Sequence, residues 1–158
     1  MIFSNSFTVE APIRQVAGFH SRSASMAAIT PPPLIVRMHE APETMSSGDE
    51  ISFTLWLGPL PIHWRALITN VSKTGFVDLQ VEGPFEKWEH HHSFASVSPS
   101  KTVVKDEIHV RPSRQPSKMM VGLGMMLGLP FLLRYRAWKT RRLLNQPAHE
   151  NQSQPLNP

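Results

Sequence analysis

The stretch Gly83-Pro84-Phe85-Glu86-Lys87-Trp88-Glu89-His90-His91-His92-Ser93-Phe94 holds the densest mixture of large aromatic and titratable side chains in the chain. It reads as a strand. Successive side chains on a strand point to opposite faces, so Trp88, His90, His92 and Phe94 share one face while Lys87, Glu89, His91 and Ser93 share the other. The second face, with His91, belongs to solvent. The first carries two aromatic rings flanking two imidazoles, which suits the wall of a cavity that is mostly apolar but has a few polar handles.

Working outward, the neighbouring segments are also strands. Leu34 to His39, Glu50 to Leu57, Ile62 to Val71 and Phe76 to Glu82 precede it and Thr102 to Val110 follows, separated by turn residues at short intervals. That spacing predicts an antiparallel meander. Ile51, Phe53, Leu55 and Leu57 alternate with Ser52 and Thr54, and Ile62, Trp64, Ala66 and Ile68 with His63, Arg65 and Thr69, which assigns the first set of each pair to the core. Val77, Leu79 and Val81 oppose Asp78, Gln80 and Glu82. Val104, Asp106, Ile108 and Val110 oppose Lys105, Glu107, His109 and Arg111, which makes Asp106 the odd acid on an apolar face. Trp56 lies on the otherwise polar side of its strand.

Before the meander, Ile2 to Val9 reads as a strand and Pro12 opens a short amphipathic helix with Ile13, Val16, Ala17 and His20 at helical spacing. A second short helix covers Ala24 to Ile29, and Thr30-Pro31-Pro32-Pro33 forces extended backbone. After the meander, Ser117 is placed to cap a helix whose body is free of charge from Met119 to Leu133, with a kink or break expected at Pro130. That run is shorter than the roughly 20 residues a bilayer span needs, so a buried helix is expected. Leu129, Leu132, Leu133, Ala137, Leu143 and Leu144 fall on one side, with Arg136 among them, and Phe131, Tyr135 and Trp138 fall nearly opposite. Arg134, Trp138, Arg141 and Arg142 offer a basic aromatic surface for a peripheral membrane contact or for docking a partner; the alternative is a solvated helix end whose basic residues complement the macrodipole. Residues 146–158 are polar, carry proline and lack periodicity, as expected of a disordered tail.

The 158 residues, 41% hydrophobic, suffice for one domain with a real core. There is no cysteine, so disulfides and thiolate metal sites are excluded. The first ten residues lack a basic segment followed by an apolar one, which makes a cytoplasmic location the default expectation. A formal charge of +4 is modest for a whole domain. No phosphate-cradling glycine loop, nucleophile elbow or zinc-finger spacing occurs, so dinucleotide binding, phosphoryl transfer and nucleic-acid binding are not expected.

The order of strand, two short helices, a meander and a long closing helix is that of the α+β helix-grip fold. The residues point the same way: Val9-Glu10-Ala11-Pro12 with Val16 and Phe19-His20, Ile29-Thr30-Pro31-Pro32, Gly83-Pro84-Phe85 with Trp88, His90, His92 and Phe94, and Tyr135-Arg136. Over residues 1–145 the chain resembles bacterial members of the START-like superfamily, the SRPBCC group of polyketide cyclase/dehydrase and lipid-transport proteins. The resemblance implies a curved antiparallel sheet of about seven strands gripping a C-terminal helix around a cavity for a lipid, polyketide or other small hydrophobic ligand. It does not specify a reaction.

Phe53, Trp64, Trp88, His90, His92 and Phe94 are the expected ligand-binding wall. His90 and His92, two apart on a strand, have the spacing to converge on a metal ion, with a third ligand to be sought among His63, His109 and Asp106. The preferred reading is a polar seam of hydrogen-bonded imidazoles, so no metal or other cofactor is expected. For an acid–base enzyme of cyclase or dehydratase type the candidates are His90, His92, Asp106 and Arg136: a histidine as base, Asp106 to orient it and Arg136 to stabilise an oxyanion. A binding or carrier module is the leading functional expectation.

Overall fold

Alternating β-branched and aromatic residues commit most of the chain to strands, and short turns fold each strand back on the last. In the computed structural model, which describes residues 1–145, the order is β1 (Ile2–Val9), α1 (Ile13–His20), α2 (Ser23–Ala28), β2 (Leu34–Glu40), β3 (Glu50–Leu57), β4 (Leu60–Ser72), β5 (Gly75–Glu82), β6 (Phe85–Ser98), β7 (Lys101–Pro112) and α3 (Pro116–Leu144). The tail expected over residues 146–158 lies outside the described residues. All seven strands form one antiparallel sheet of order β1-β7-β6-β5-β4-β3-β2. The meander runs from β2 to β7, β1 pairs with β7, and α1 and α2 carry the chain from one edge to the other.

Register shifts interrupt the ladders of β2, β4 and β6. An extra residue on one strand bends it and increases its twist, so the sheet curves and gathers one row of side chains per strand on the inner face. There Phe7 and Val9, Ile51 and Phe53, Ile62, Trp64, Ala66 and Ile68, Trp88 and Phe94, and Val104, Ile108 and Val110 are buried together. The alternation read from β4, β6 and β7 is thus observed.

β5 departs from expectation. Phe76 and Asp78 face inward, and Val81 is exposed. Directly opposed residues of an antiparallel pair share a face, and Phe76 pairs with His92 and Asp78 with His90. The face that holds the histidines must therefore hold Phe76 and Asp78. Leu57, expected in the core, is exposed at the end of β3, and Thr54 is buried on the outer face between His39 Nε2 (2.8 Å) and His63 Nδ1 (3.1 Å).

α3 also differs. Its N-cap is Gln115 rather than Ser117, and Pro116 occupies the first turn, where a missing N–H costs nothing. No break occurs at Pro130: the helix is continuous for 29 residues, and the Asn5 side chain donates to the Leu133 carbonyl at 3.2 Å just beyond the proline. Gly122, Met126, Leu129, Leu133, Ala137, Thr140 and Leu144, spaced by three or four, form its buried stripe. At Gly122 a Cβ would stand 3.1 Å from the Phe85 ring, so the helix meets the start of β6 at close range. The expectation of a buried apolar run holds for that stripe alone. Leu127 is 87%, Met120 74% and Phe131 62% exposed, and by length and composition the whole helix would suffice to cross a bilayer. Its C-terminal half is locked to β1, where Arg141 Nε donates to the Thr8 carbonyl (3.0 Å) and its guanidinium lies over Phe7.

Candidate ligand cavity and its histidine–aspartate cluster

Between the inner face of the sheet, α2, the proline segment and α3 lies a cavity of about 330 Å³. Its wall is apolar over most of its extent, with Ile51, Phe53, Ile62, Trp64, Ala66 and Ile68 from the sheet, Met26 and Ile29 from α2, and Met125, Leu129 and Leu132 from α3. Aromatic packing stiffens one end: Phe53 stacks on Trp64 at 6.0 Å, and Trp64 meets Trp88 edge-on at 5.2 Å. Gly124 and Gly128 border the space, and a Cβ at either would meet nothing within 4 Å.

The polar end is built by register. β6 projects His90 and His92 inward; β5 sets Asp78 beside His90 on one side, and β7 sets Asp106 beside His92 on the other. His90 is 2% and Asp106 3% exposed. The two imidazole centroids are 3.8 Å apart, and each carboxylate approaches both rings. Asp78 Oδ2 lies 3.4 Å from His90 Nδ1 and 3.6 Å from His92 Nε2, while its Oδ1 accepts from Trp88 Nε1–H at 3.2 Å. Asp106 Oδ1 lies 3.3 Å from His90 Nε2 and 2.9 Å from His92 Nδ1. Among the described residues neither of those two nitrogens has an aligned hydrogen-bond partner, so the contact with Asp106 is a close approach rather than a directed bond. Phe76 stacks on the His92 ring at 4.2 Å. Gly75, at a φ of 146°, carries its backbone against the His92 carbonyl, where any Cβ would clash, so glycine there sets the register that brings Asp78 to His90.

These contacts shift the acids and bases apart. Burial alone would raise the Asp78 and Asp106 carboxyls, but contact with His90 and His92 outweighs it and holds both below the usual carboxylate range. Burial pulls His92 down, yet Asp106 and Asp78 together leave it above its ordinary value. Burial lowers Arg136, against the opposing charges of Asp106 and Asp78, and its Nε has no hydrogen-bond partner among the described residues.

His20, at the end of α1, closes this end from the side. Its ring lies 5.0 Å from Phe94 and 6.3 Å from His92, and its Nδ1–H donates to the Val16 carbonyl at 2.9 Å. Burial, and then the charge of His92, lower its pKa to about 4. It is a neutral imidazole near pH 7.

Of the residues expected at the site, Phe53, Trp64, Trp88, His90, His92 and Arg136 border the cavity. Phe94 does not: it is buried beyond His92, against His20 and Phe76. Asp106 stands behind the histidines rather than on the cavity surface. His63 and His109, considered as third metal ligands, sit on the outer face with Thr54 and Glu107. Asp78 and His20 were missed. The buried helical spacing of Val16 and His20 was the available signal for His20; Asp78 needed the register of β5. Chemically, the arrangement pairs His92, its pKa raised by its neighbours, and a guanidinium with two carboxylates at the end of an apolar space. It can orient a polar group of a ligand and exchange protons with it.

No protein-family description matches the sequence, and no curated protein matches it. Solved structures do match in shape. A protein from Chromobacterium violaceum superposes with a TM-score of 0.69 at 10% identity, covering 93% of this chain and 99% of that one. Norcoclaurine synthase from Thalictrum flavum, solved with dopamine and hydroxybenzaldehyde, gives 0.66 at 11% identity, covering 94% and 88%. A START superfamily protein from Mycobacterium smegmatis gives 0.62 at 12% identity, covering 90% and 98%. The seven-stranded antiparallel sheet, the two short helices and the closing α3, set beside these neighbours, identify the chain's fold as the helix-grip fold of START-like proteins.

Proposed function

We propose that the protein binds a small amphipathic ligand in the cavity, its apolar body against Phe53, Ile62 and Trp64 and its polar group toward Arg136 and His92. The observation that carries this reading is the cavity itself: an apolar space of about 330 Å³ ending in a buried charged cluster. Apolar walls supply affinity and a few fixed polar groups set orientation. Arg136 Nε, without a partner among the described residues, favours a ligand with an acceptor oxygen. The norcoclaurine synthase neighbour, solved with two aromatic molecules, supports the use of this fold to hold small organic ligands. Trp64 and Trp88 border the cavity, so titration with a long-chain fatty acid should change tryptophan emission and saturate at one per chain. The double variant Gly124→Leu/Gly128→Leu, which gains helix propensity of about 1 kcal/mol per site, should fold and lose the response. Saturable binding unchanged in that variant would place the ligand elsewhere.

A second observation favours a surface at which such a ligand is exchanged. α3 holds no acidic residue, exposes Met120, Leu127 and Phe131, and carries Lys139 and Arg142 against the Trp138 ring. An apolar strip beside cations fits an anionic lipid surface. Sedimentation with vesicles containing phosphatidylserine should fall with added salt and be lost in Leu127→Asp/Phe131→Asp. Salt-independent sedimentation that survives this change would refute the docking face.

A further inference from the structure

The cluster contains a second pattern, independent of any organic ligand. His90 Nδ1 and His92 Nε2 lie 3.4 and 3.6 Å from the same oxygen, Asp78 Oδ2, and one ligand atom from each residue falls within 4.8 Å of the others. Donors bound to one ion at about 2.0–2.1 Å in a tetrahedral arrangement stand roughly 3.3 Å apart. The two separations from Asp78 Oδ2 are therefore close to those an ion would impose. All three residues border the cavity, so the remaining coordination positions would open toward it.

Behind the triangle, Asp106 Oδ1 stands 3.3 Å from His90 Nε2 and 2.9 Å from His92 Nδ1, the two nitrogens that face away from Asp78. An outer carboxylate in that position fixes the tautomer and orientation of a metal-bound histidine. Among the described residues both nitrogens lack an aligned partner as the rings stand, although both residues are more than nine-tenths buried, and a small ring rotation would complete each bond. Trp88 holds the other oxygen of Asp78. Two carboxylates against the single guanidinium of Arg136 leave the site net negative once both histidines are neutral, the form in which they ligate an ion.

We propose that Asp78, His90 and His92 form a binding site for a divalent transition-metal ion, with Asp106 as the outer carboxylate that orients both histidines. Two imidazole nitrogens and one carboxylate oxygen suit Zn²⁺, Fe²⁺ or Co²⁺ better than Mg²⁺ or Ca²⁺, which prefer oxygen donors. Three protein ligands are the number found where a position is kept open for water or a ligand. An ion there would supply a Lewis acid at the polar end of the cavity. The site shares the cavity with the proposed ligand but does not need it.

Tag-free protein stripped with a chelator and titrated with Co²⁺ tests this directly. One equivalent per chain should bind, with the visible absorption of low-coordinate cobalt, and Zn²⁺ should displace it. Asp78→Asn and His92→Gln should each abolish the signal, and Asp106→Asn should weaken binding by roughly 10–100-fold, the range for outer-shell partners. His39→Gln and His91→Gln should change nothing. Binding that survives Asp78→Asn and His92→Gln, or that is lost with His39 or His91, overturns the proposal. Should a cluster variant fail to fold, the wild type still decides: Zn²⁺ must raise its thermal midpoint in a saturable, one-site manner, and no shift counts against the site.

Discussion

β6 and β7 carry two histidine–acid clusters of nearly the same composition on opposite faces. The inner one joins His90, His92 and Asp106 with Asp78 from β5; the outer one joins Glu89, His91, Glu107 and His109. Outside, the partners are near enough to pair: His109 lies 2.8 Å from Glu107 and His91 3.8 Å from Glu89, with Lys105 and Lys87 on the same two acids. Water and lysine screen these contacts, and exposed pairs of this kind contribute little. Inside, among the described residues no lysine joins the cluster, His90, His92 and Asp106 are buried with Asp78 at the cavity's edge, and their charges are answered by one another and by Arg136. Burial rather than residue type turns one cluster into a candidate site.

The largest consequence concerns Asp106. Asp106→Ala removes the buried carboxylate that lies 2.9 Å from His92 and 3.3 Å from His90 and should cost about 3–5 kcal/mol of stability, the range for breaking a buried pair from one side. Urea unfolding measures it, and a loss no greater than that of an exposed pair would erase the distinction between the faces. Next comes pH, read in chelator-treated protein. His20 has a folded pKa lowered from 6.5 to about 4, so the unfolded chain takes up its proton first and stability is lost as pH falls from 6.5 toward 4. At 1.36 kcal/mol per unit the full effect is on the order of 3 kcal/mol. His20→Phe, which keeps the ring against Phe94, should flatten that limb. His92 acts with the opposite sign: its contribution is complete below 6.5 and is lost as pH rises through its raised folded pKa. Asp78 and Asp106 lose theirs only below the ordinary carboxylate value of 3.8. Urea midpoints across pH should therefore peak near 6.5, and a flat profile between 4 and 6.5 would contradict the assignment of His20. The smallest effect is on the outer face, where His91→Ala and Glu107→Gln should leave the urea midpoint unchanged within error. A clear shift there would show that the outer cluster is structural too.

The inner row of β6 was legible because alternation in Trp88, His90, His92 and Phe94 has one solution, and Asp106 because it interrupts a clean apolar row in β7. Asp78 was not, because β5 offers two alternations, Phe76-Asp78-Gln80 and Val77-Leu79-Val81, and hydrophobicity favours the wrong one. Pairing with β6 decides, and that register depends on Gly75 lying against His92. α3 was legible in part: Leu129, Leu133, Ala137 and Leu144 lie on its buried side and Phe131 and Trp138 on the opposite one, as their spacing predicts. Before them a run without charges marks no outer side, so only docking on β1 and Phe85 reveals that Leu127 and Met120 are left uncovered.

The central claim, that the inner face encloses a ligand site, is tested most directly by native mass spectrometry of the purified protein, followed by denaturing extraction of whatever is released. The expected result is one small amphipathic molecule per chain, absent from Gly124→Leu/Gly128→Leu. A bare chain in both proteins, with no thermal stabilisation from a panel of fatty acids, lipids and polyketides, would contradict it.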